Sequence, residues 1–236
     1  MAIPHKNTMV DKIDISHSQN FFRDELYVER LVTQTDICKQ DDVIEIGPGR
    51  GISTKVLSKV ARSVTGIEVD RNLATRLKDQ FISSPNVKVV EADFMRYRLP
   101  TTTYKVFANI PFELTSRIID KLCNGINPPT VSYLVVQDKA AHRIIGQPYT
   151  NGSQFSILMR PFFEAEIVEK INSNVYSPRP GVETVLLMIK KLEQPLIDPA
   201  ARQLFRDFVI FGFNQWSPNL LDAYKKIFSP NQSKIS

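Results

Sequence analysis

The stretch VIEIGPGRGISTKVLSKV, residues 43–60, changes its hydrophobic period halfway along. Val43, Ile44 and Ile46 make an apolar run of strand length, GPGRG at 47–51 supplies three glycines for a tight turn, and Val56, Leu57 and Val60 recur on one side of a helix. A strand, a glycine turn and a helix therefore follow one another. The same alternation continues outward: Ser63–Val69 reads as a strand ending in acids, Leu73–Phe81 as a helix and Val87–Glu91 as a strand. Lys105–Ala108 is a short strand leading into NIPF, Thr115–Leu122 a helix, Val131–Val136 a strand and Lys139–Ile145 a helix. Such alternation implies an α/β chain with a parallel sheet covered by helices on both faces. Ser153–Met159, Phe162–Val168 and Thr184–Lys190 are expected to complete that sheet.

Toward the N-terminus, residues 1–20 read as an arm, and Leu26, Val28, Leu31 and Val32 give a helix over Asp24–Gln34 its apolar side. Toward the C-terminus, the breakers in Pro-Leu-Ile-Asp-Pro precede an apolar run at Leu204–Phe213 and AYKKIF at 223–228, which predict two or three helices. The expected organisation is an arm at 1–20, a main domain at 21–194 and a small helical C-terminal domain at 195–236.

Composition narrows the function classes. A chain of 236 residues with 42% apolar and 23% charged residues suits one compact domain with an appendage. Thirty Lys and Arg against 25 Asp and Glu leave +5, which permits a polyanionic partner without establishing one. Cys38 and Cys123 form no CxxC and only three histidines accompany them, which excludes a disulfide scaffold and a cysteine metal site. A reducing, cytoplasmic setting is expected. No long apolar run and no apolar N-terminal signal core occur, so neither secretion nor membrane spanning is expected.

Two halves of a site emerge. Gly47, Gly49 and Gly51 resemble the start of a dinucleotide fingerprint, but are spaced by twos and lack the third glycine of the nicotinamide pattern. Glu45 lies in the strand before them, Glu68 ends the next strand, and Asp93 follows the third. Glycines let the backbone approach a ligand, Glu68 can accept both hydroxyls of a ribose, and Asp93 can accept from an adenine amino group with Phe94 nearby. Each acid alone is better explained as a helix cap or a solvated strand end. Together they favour an adenosine-bearing ligand without a pyrophosphate, such as S-adenosylmethionine, with nicotinamide and flavin chemistry still open at this point. The other half is Asn109-Ile110-Pro111-Phe112. Proline restricts Ile110 to extended conformations and stiffens the turn. The Asn109 side-chain oxygen and the carbonyl of Ile110 or Pro111 could accept the two hydrogens of an aromatic amine, while Phe112 stacks on its ring. The bland alternative is a loop whose Phe plugs the core. His5, His17 and His142 suggest no triad, and displacement at a sulfonium methyl needs alignment more than a nucleophilic side chain.

Seven blocks in order resemble the rRNA adenine N6-methyltransferase family: SQNFF at 18–22, EIGPGRGIST at 45–54, GIEVD at 66–70, EADF at 91–94, NIPF at 109–112, VVQDKAAHRI at 135–144 and YSPRPGVET at 176–184. The resemblance covers roughly residues 15–190 and implies a Rossmann-like S-adenosylmethionine-dependent methyltransferase sheet. NIPF, SQNF and the AYKKIF segment lean toward the macrolide-resistance branch, which acts on an adenine-containing stem-loop of 23S rRNA. The small-subunit 16S dimethyltransferases, a non-catalytic nucleic-acid-binding factor on the same fold and a DNA adenine methyltransferase are the rivals. The resemblance further implies a monomer, with Gln19, Asn20 and Phe21 near the methionine end of the cofactor and Gly47, Gly49 and Gly51 beneath it. It puts Glu68 and Val69 at the ribose side, Asp93 and Phe94 at the adenine, Asn109 on the target amine and Phe112 and Tyr176 on either side of the target base. Gly181 replaces a lysine usual in the family. Arg96, Arg98, Lys139, Arg143, Arg160 and Arg179 are candidate phosphate contacts beside the N-terminal arm.

Overall fold

The computed structural model describes residues 21–146, 153–215, 217 and 219–224. The arm at 1–20, with Gln19 and Asn20, and residues 225–228 of the AYKKIF segment lie outside the described residues. In chain order the elements are β1 (Phe21–Phe22), α1 (Glu25–Thr33), β2 (Asp42–Ile46), α2 (Ile52–Val60), β3 (Ser63–Glu68), α3 (Arg71–Gln80), β4 (Val87–Glu91) and β5 (Lys105–Asn109). There follow α4 (Thr115–Asn124), β6 (Val131–Gln137), α5 (Asp138–Ile145), α6 (Gln154–Met159), β7 (Phe163–Ile171), β8 (Tyr176–Ser177), β9 (Thr184–Lys191), α7 (Arg202–Phe213) and α8 (Leu220–Tyr224).

Seven strands form one sheet in the order β4-β3-β2-β5-β6-β9-β7. The chain winds outward from β2 through β3 to β4, then returns to lay β5 on the other side of β2. The gap between β2 and β5 is therefore the topological switch point, where α/β sheets open a crevice at their strand ends. Side chains alternate across the sheet as the period of 2 requires. Val43, Val64, Phe107 and Val135 face one apolar layer with Val28 and Leu31 of α1 and Leu57 of α2. Ile44, Ile67, Val106 and Leu134 face the opposite layer with Ile118 and Leu122 of α4 and Ala141 of α5. Cys123 lies in this second layer as a buried apolar group.

Two expectations about the sheet are corrected. Ser153–Met159 is not a strand: the Ser153 hydroxyl accepts the Ser156 N–H at 3.1 Å and caps α6, whose buried Ser156 and Met159 stand three residues apart, a helical spacing. The sheet is also not wholly parallel, because β9 runs antiparallel to both its neighbours, β6 and β7. Only one turn of 3-10 helix at Ser173–Val175 and the short β8 separate β7 from β9, and a connection without a helical crossover joins antiparallel neighbours. The β7–β9 register slips between Ile167 and Glu169, a bulge in an edge strand.

Beyond the sheet, α7 packs against α6, and its Arg202 donates to the Cys123 carbonyl at 2.9 Å and lies over the Phe162 ring. At the other end, the Asp24 carboxylate accepts the N–H groups of Leu26 and Tyr27 and starts α1. The same helix is clamped to the sheet edge by one acid. Glu169 on β7 accepts from Tyr27 Oη at 3.1 Å, from Arg30 through both guanidinium nitrogens, and from Gln34. These bonds hold its carboxyl below the usual range against the opposing effect of burial. Because the Arg30 side chain is half exposed, Glu169→Ala is expected to lower unfolding free energy by only about 1 kcal/mol. Urea titration of the two proteins checks this; an unchanged midpoint would show that the clamp is incidental.

Candidate active site

Strand register brings the two halves of the site level. Val43, Ile44 and Glu45 of β2 pair with Lys105, Val106 and Phe107 of β5, an offset that carries Gly47 level with Asn109. On the other side Ile46 pairs with Ile67, and Gly47 N–H donates to the Ile67 carbonyl at 2.9 Å, which sets Gly47 beside Glu68. With neighbouring strands about 4.8 Å apart, Glu68 and Asn109 flank the glycine turn at roughly 10 Å from each other. Phe21, Gly47, Asn109, Ile110, Pro111 and Phe112 line one cleft at this edge.

The glycine turn is built from left-handed backbone. Gly47, Gly49 and Gly51 have φ of 65°, 57° and 81°, a region side-chain-bearing residues rarely adopt. A Cβ on Gly47 would meet nothing within 4 Å, so the cradle is open at that point. A Cβ on Gly49 would lie 2.5 Å from the Phe21 ring, which covers the turn and is itself covered by the Arg50 guanidinium, 5.2 Å from the ring centre. Gly51 starts α2 without a side-chain cap, leaving the first N–H groups of that helix toward the cleft, where Ile52 and Ser53 also lie.

Two buried acids stand behind the turn. Glu68 is 1% exposed, and its carboxylate accepts Gly49 N–H and Asp70 N–H, each at 3.0 Å. Burial raises its pKa against the lowering effect of these donors. The Val69 N–H acts on the same carboxylate, and these three donors still leave acceptor capacity among its roughly four lone-pair positions. Glu45 faces the cleft and accepts the Thr54 hydroxyl at 2.5 Å. Burial, with a smaller contribution from the Glu68 charge, pushes it up to about 8.

The remaining expected residues divide. Val69, beside Glu68, is 49% exposed and offers an apolar edge. Asp93 is exposed after β4, with Oδ1 accepting the Met95 N–H at 2.8 Å. Asn109 closes β5 and is half-buried on the cleft wall. Pro111 turns its carbonyl to the Leu114 N–H at 3.0 Å, so of the two carbonyls considered for the amine, that of Ile110 is the one left outside the following 3-10 turn. Phe112 is half-buried at the cleft.

Two of the expected residues lie buried in this structure. Phe94 is 6% exposed in the core layer beneath the strand ends, so its ring supports the Asp93 turn from below. Tyr176 is 2% exposed, stacks on Phe22 at 5.0 Å and shares a hydrogen bond with the Thr184 hydroxyl, so neither ring face is open to a base. Its pairing with Phe22 ties β8 to β1 and thereby holds Phe21 over the glycine turn. All six candidate phosphate contacts are exposed; among them Arg160 is also tied to the Gly146 carbonyl and Arg179 to Ser173. The sequence reading missed Arg50, Ile52 and Ser53; their position inside and just after the glycine turn was the available signal.

A doubly wound sheet with a glycine turn and a strand-end amide at its switch point defines the class of Rossmann-like methyltransferases. Within that class, residues 10–236 match the ribosomal RNA adenine dimethylase model, and the chain belongs to that family. It is 31% identical over 204 residues to an rRNA adenine N-6-methyltransferase of Saccharopolyspora erythraea, covering 86% of this chain and 52% of the relative. An rRNA methyltransferase of Streptomyces thermotolerans is 32% identical over 197 residues, 84% of this chain and 65% of the relative. The chain thus spans about half to two thirds of the length of these two curated relatives. Ribosomal RNA small subunit methyltransferase A of Clostridium perfringens is 29% identical, covering 92% of this chain and 78% of that protein. The crystal structure of the 23S rRNA methyltransferase ErmE superposes with a TM-score of 0.81 at 28% identity, over 90% of this chain and 86% of that one. Among the described residues, no helix is long and apolar enough to cross a membrane.

Two predictions follow from the turn and its acids. Gly49→Ala is expected to cost about 1–2 kcal/mol in stability through left-handed strain and to displace Phe21, whereas Gly181→Ala, with open space around it, should be near neutral. Thermal melts of both proteins decide this. Glu45 keeps a proton when folded that the unfolded chain releases above its ordinary value of 4.5, so its burial destabilises the protein increasingly from there to about pH 8. Glu45→Gln removes that slope, and its stability relative to the wild type should rise across the same window; parallel curves would contradict a buried neutral acid.

Proposed function

We propose that this chain methylates N6 of an adenine in 23S rRNA, once or twice, using S-adenosylmethionine, and so gives macrolide-type resistance. The single observation that carries the reading is the level row at the strand ends, where Glu68, Gly47 and Asn109 stand side by side, with Gly47, Asn109 and Phe112 lining one cleft and Glu68 buried behind the glycine turn. The residues fit the cofactor: an open left-handed cradle at Gly47, an acid with spare acceptor capacity at Glu68, and an exposed carboxylate at Asp93. When bound, S-adenosylmethionine supplies a methyl group on a cationic sulfur. Glu68 accepts from the ribose hydroxyls, Asp93 from the adenine amino group, and Val69 covers the apolar edge of the nucleoside. Gln19 and Asn20 are assigned to the methionine end on the family resemblance alone.

For the target base, the Asn109 amide oxygen accepts one N6 hydrogen and the Ile110 carbonyl the other. Both acceptors together turn the amine nitrogen so that its lone pair, rather than a hydrogen, faces the cradle. No side chain has to remove a proton first: the nitrogen gains its bond to the methyl carbon as the methyl–sulfur bond breaks, and the proton it then carries in excess passes to water. Phe112 stacks on the base and offsets part of the energy lost in unstacking it from its strand. The 23S assignment leans on the branch-specific blocks and on the similarity to ErmE. The 16S reading is kept as the second because small-subunit enzymes match at nearly the same identity and over more of the chain.

Incubating the protein and labelled cofactor with unmodified 23S and 16S rRNA, followed by primer extension, reports substrate and nucleotide together. A stop in 23S alone is expected; a stop in 16S alone would transfer the assignment. Asn109→Ala is expected to slow transfer by about a hundredfold or more while RNA binding stays near that of the wild type. Phe112→Ala should slow it by about tenfold and Phe112→Tyr should not. Equal rates in all of these proteins would remove the turn from the chemistry.

A further inference from the structure

Lys121 stands on α4, the helix that leaves the Asn109–Phe112 turn, and points away from that turn toward the loop after β4. Its ammonium donates to three main-chain carbonyls, those of Phe94 at 2.5 Å, Met95 at 3.0 Å and Tyr97 at 2.6 Å. It also lies 4.9 Å from the centre of the Phe94 ring. Three donors meeting three carbonyls saturate the group. Among the described residues no carboxylate pairs with it, and the Asp93 charge acts on it only at a distance. Lys121 is half-buried, and partly withdrawing an ammonium from water without a counter-ion is unfavourable, a cost that an apolar side chain there would not carry. The position therefore asks for a reason beyond packing.

The carbonyls it gathers belong to the turn that begins at Asp93. Within that turn Asp93 Oδ1 accepts the Met95 N–H at 2.8 Å, and the Asp93 carbonyl accepts the Arg96 and Tyr97 N–H groups, both at 2.9 Å. Just before it, Ala92 N–H donates to the Glu68 carbonyl at 2.9 Å. The loop is thus fixed to β3 at one end and to α4 through Lys121 at the other. Phe94 fills the core below, and the ammonium holds the backbone above it. We infer that Lys121 is a positioning residue for the cofactor: by fastening the 93–97 turn to the helix that follows Asn109–Phe112, it keeps the Asp93 carboxylate in place relative to the target-amine turn. This rests on the reading that Asp93 meets the cofactor adenine.

The test compares wild type, Lys121→Met, Lys121→Arg, Asp93→Ala and the double variant Lys121→Met/Asp93→Ala. S-adenosylhomocysteine binding is measured by calorimetry, and methyl transfer to rRNA by steady-state kinetics. Losing the charged donor is expected to raise Kd and the KM for S-adenosylmethionine by about tenfold in Lys121→Met, with kcat at saturating cofactor within about twofold of wild type. Lys121→Arg should recover most of the affinity. The double variant should bind no more weakly than Asp93→Ala, because both changes remove one interaction. If Asp93→Ala binds normally, the adenine assignment of Asp93 fails, and this inference with it. If Asp93→Ala binds weakly while Lys121→Met binds as wild type, or if Lys121→Met lowers kcat and leaves KM alone, the Lys121 inference fails and the assignment of Asp93 survives. Should Lys121→Met not fold, amide exchange over residues 94–97 in Lys121→Gln decides: protection and affinity should fall together, and lost protection with unchanged affinity overturns the inference.

Discussion

The hydrogen bond from Gly49 N–H to the buried Glu68 carboxylate is the joint on which the site depends. Three left-handed glycines let the chain reverse from β2 into α2, but a turn of that kind has no side chains to fix it. Glu68 fastens it to the end of β3, and the β2–β5 register then carries it level with Asn109. A group that shapes the turn is thus also the group with spare acceptor capacity beside it. Burial and, to a smaller degree, the neighbouring Asp70 charge make the charge on Glu68 unfavourable, while the backbone donors compensate. Such opposed influences on one carboxylate are usual where a fold serves a ligand rather than stability alone.

Chemistry by alignment also accounts for the quiet character of the surroundings. Cys123 is sunk in the core with its thiol pushed up to about 12 by burial, and His142 is engaged only loosely with Asp138 at 3.6 Å. Neither is prepared for nucleophilic work. The cleft instead offers carbonyl oxygens, one amide, a half-exposed ring and a stiff proline, a set suited to holding an amine still. The helix after that turn, α4, carries Lys121 back to the Asp93 loop, so the two ligand-facing segments share one rigid support.

Much of this was legible in the sequence because it is written in local signals. The change from strand to helix period around 47–51 and the proline of NIPF each specify backbone over a few residues, and the elements from 42 to 145 fall within a residue or two of where they were expected. Ser153–Met159 was misread because a short apolar segment fits a strand or a helix equally well, and the Ser153 cap decides only once the chain is folded. The reversed β9 depends on a connection that sequence period does not encode. Tyr176 and Phe94 were expected at the ligand because aromatic rings near a site carry the same letter whether they stack on a base or on Phe22 and the core; only burial separates the two. Lys121 gave no signal, since a lysine on a helix ordinarily faces water.

The bulge in β7 has a bearing on how the molecule behaves in company. An outermost strand presents a row of unsatisfied amides and carbonyls that another chain can extend. Here the ladder slips at Ile167 and Glu169, and Glu164, Glu166, Glu169 and Lys170 interrupt the apolar positions. One of those acids is turned back to grip Tyr27, Arg30 and Gln34, so α1 shields that length of the rim. A neighbouring polypeptide attempting to add a strand would find neither a flat template nor a neutral one, and self-association through this margin is disfavoured even while nascent chains are crowded together.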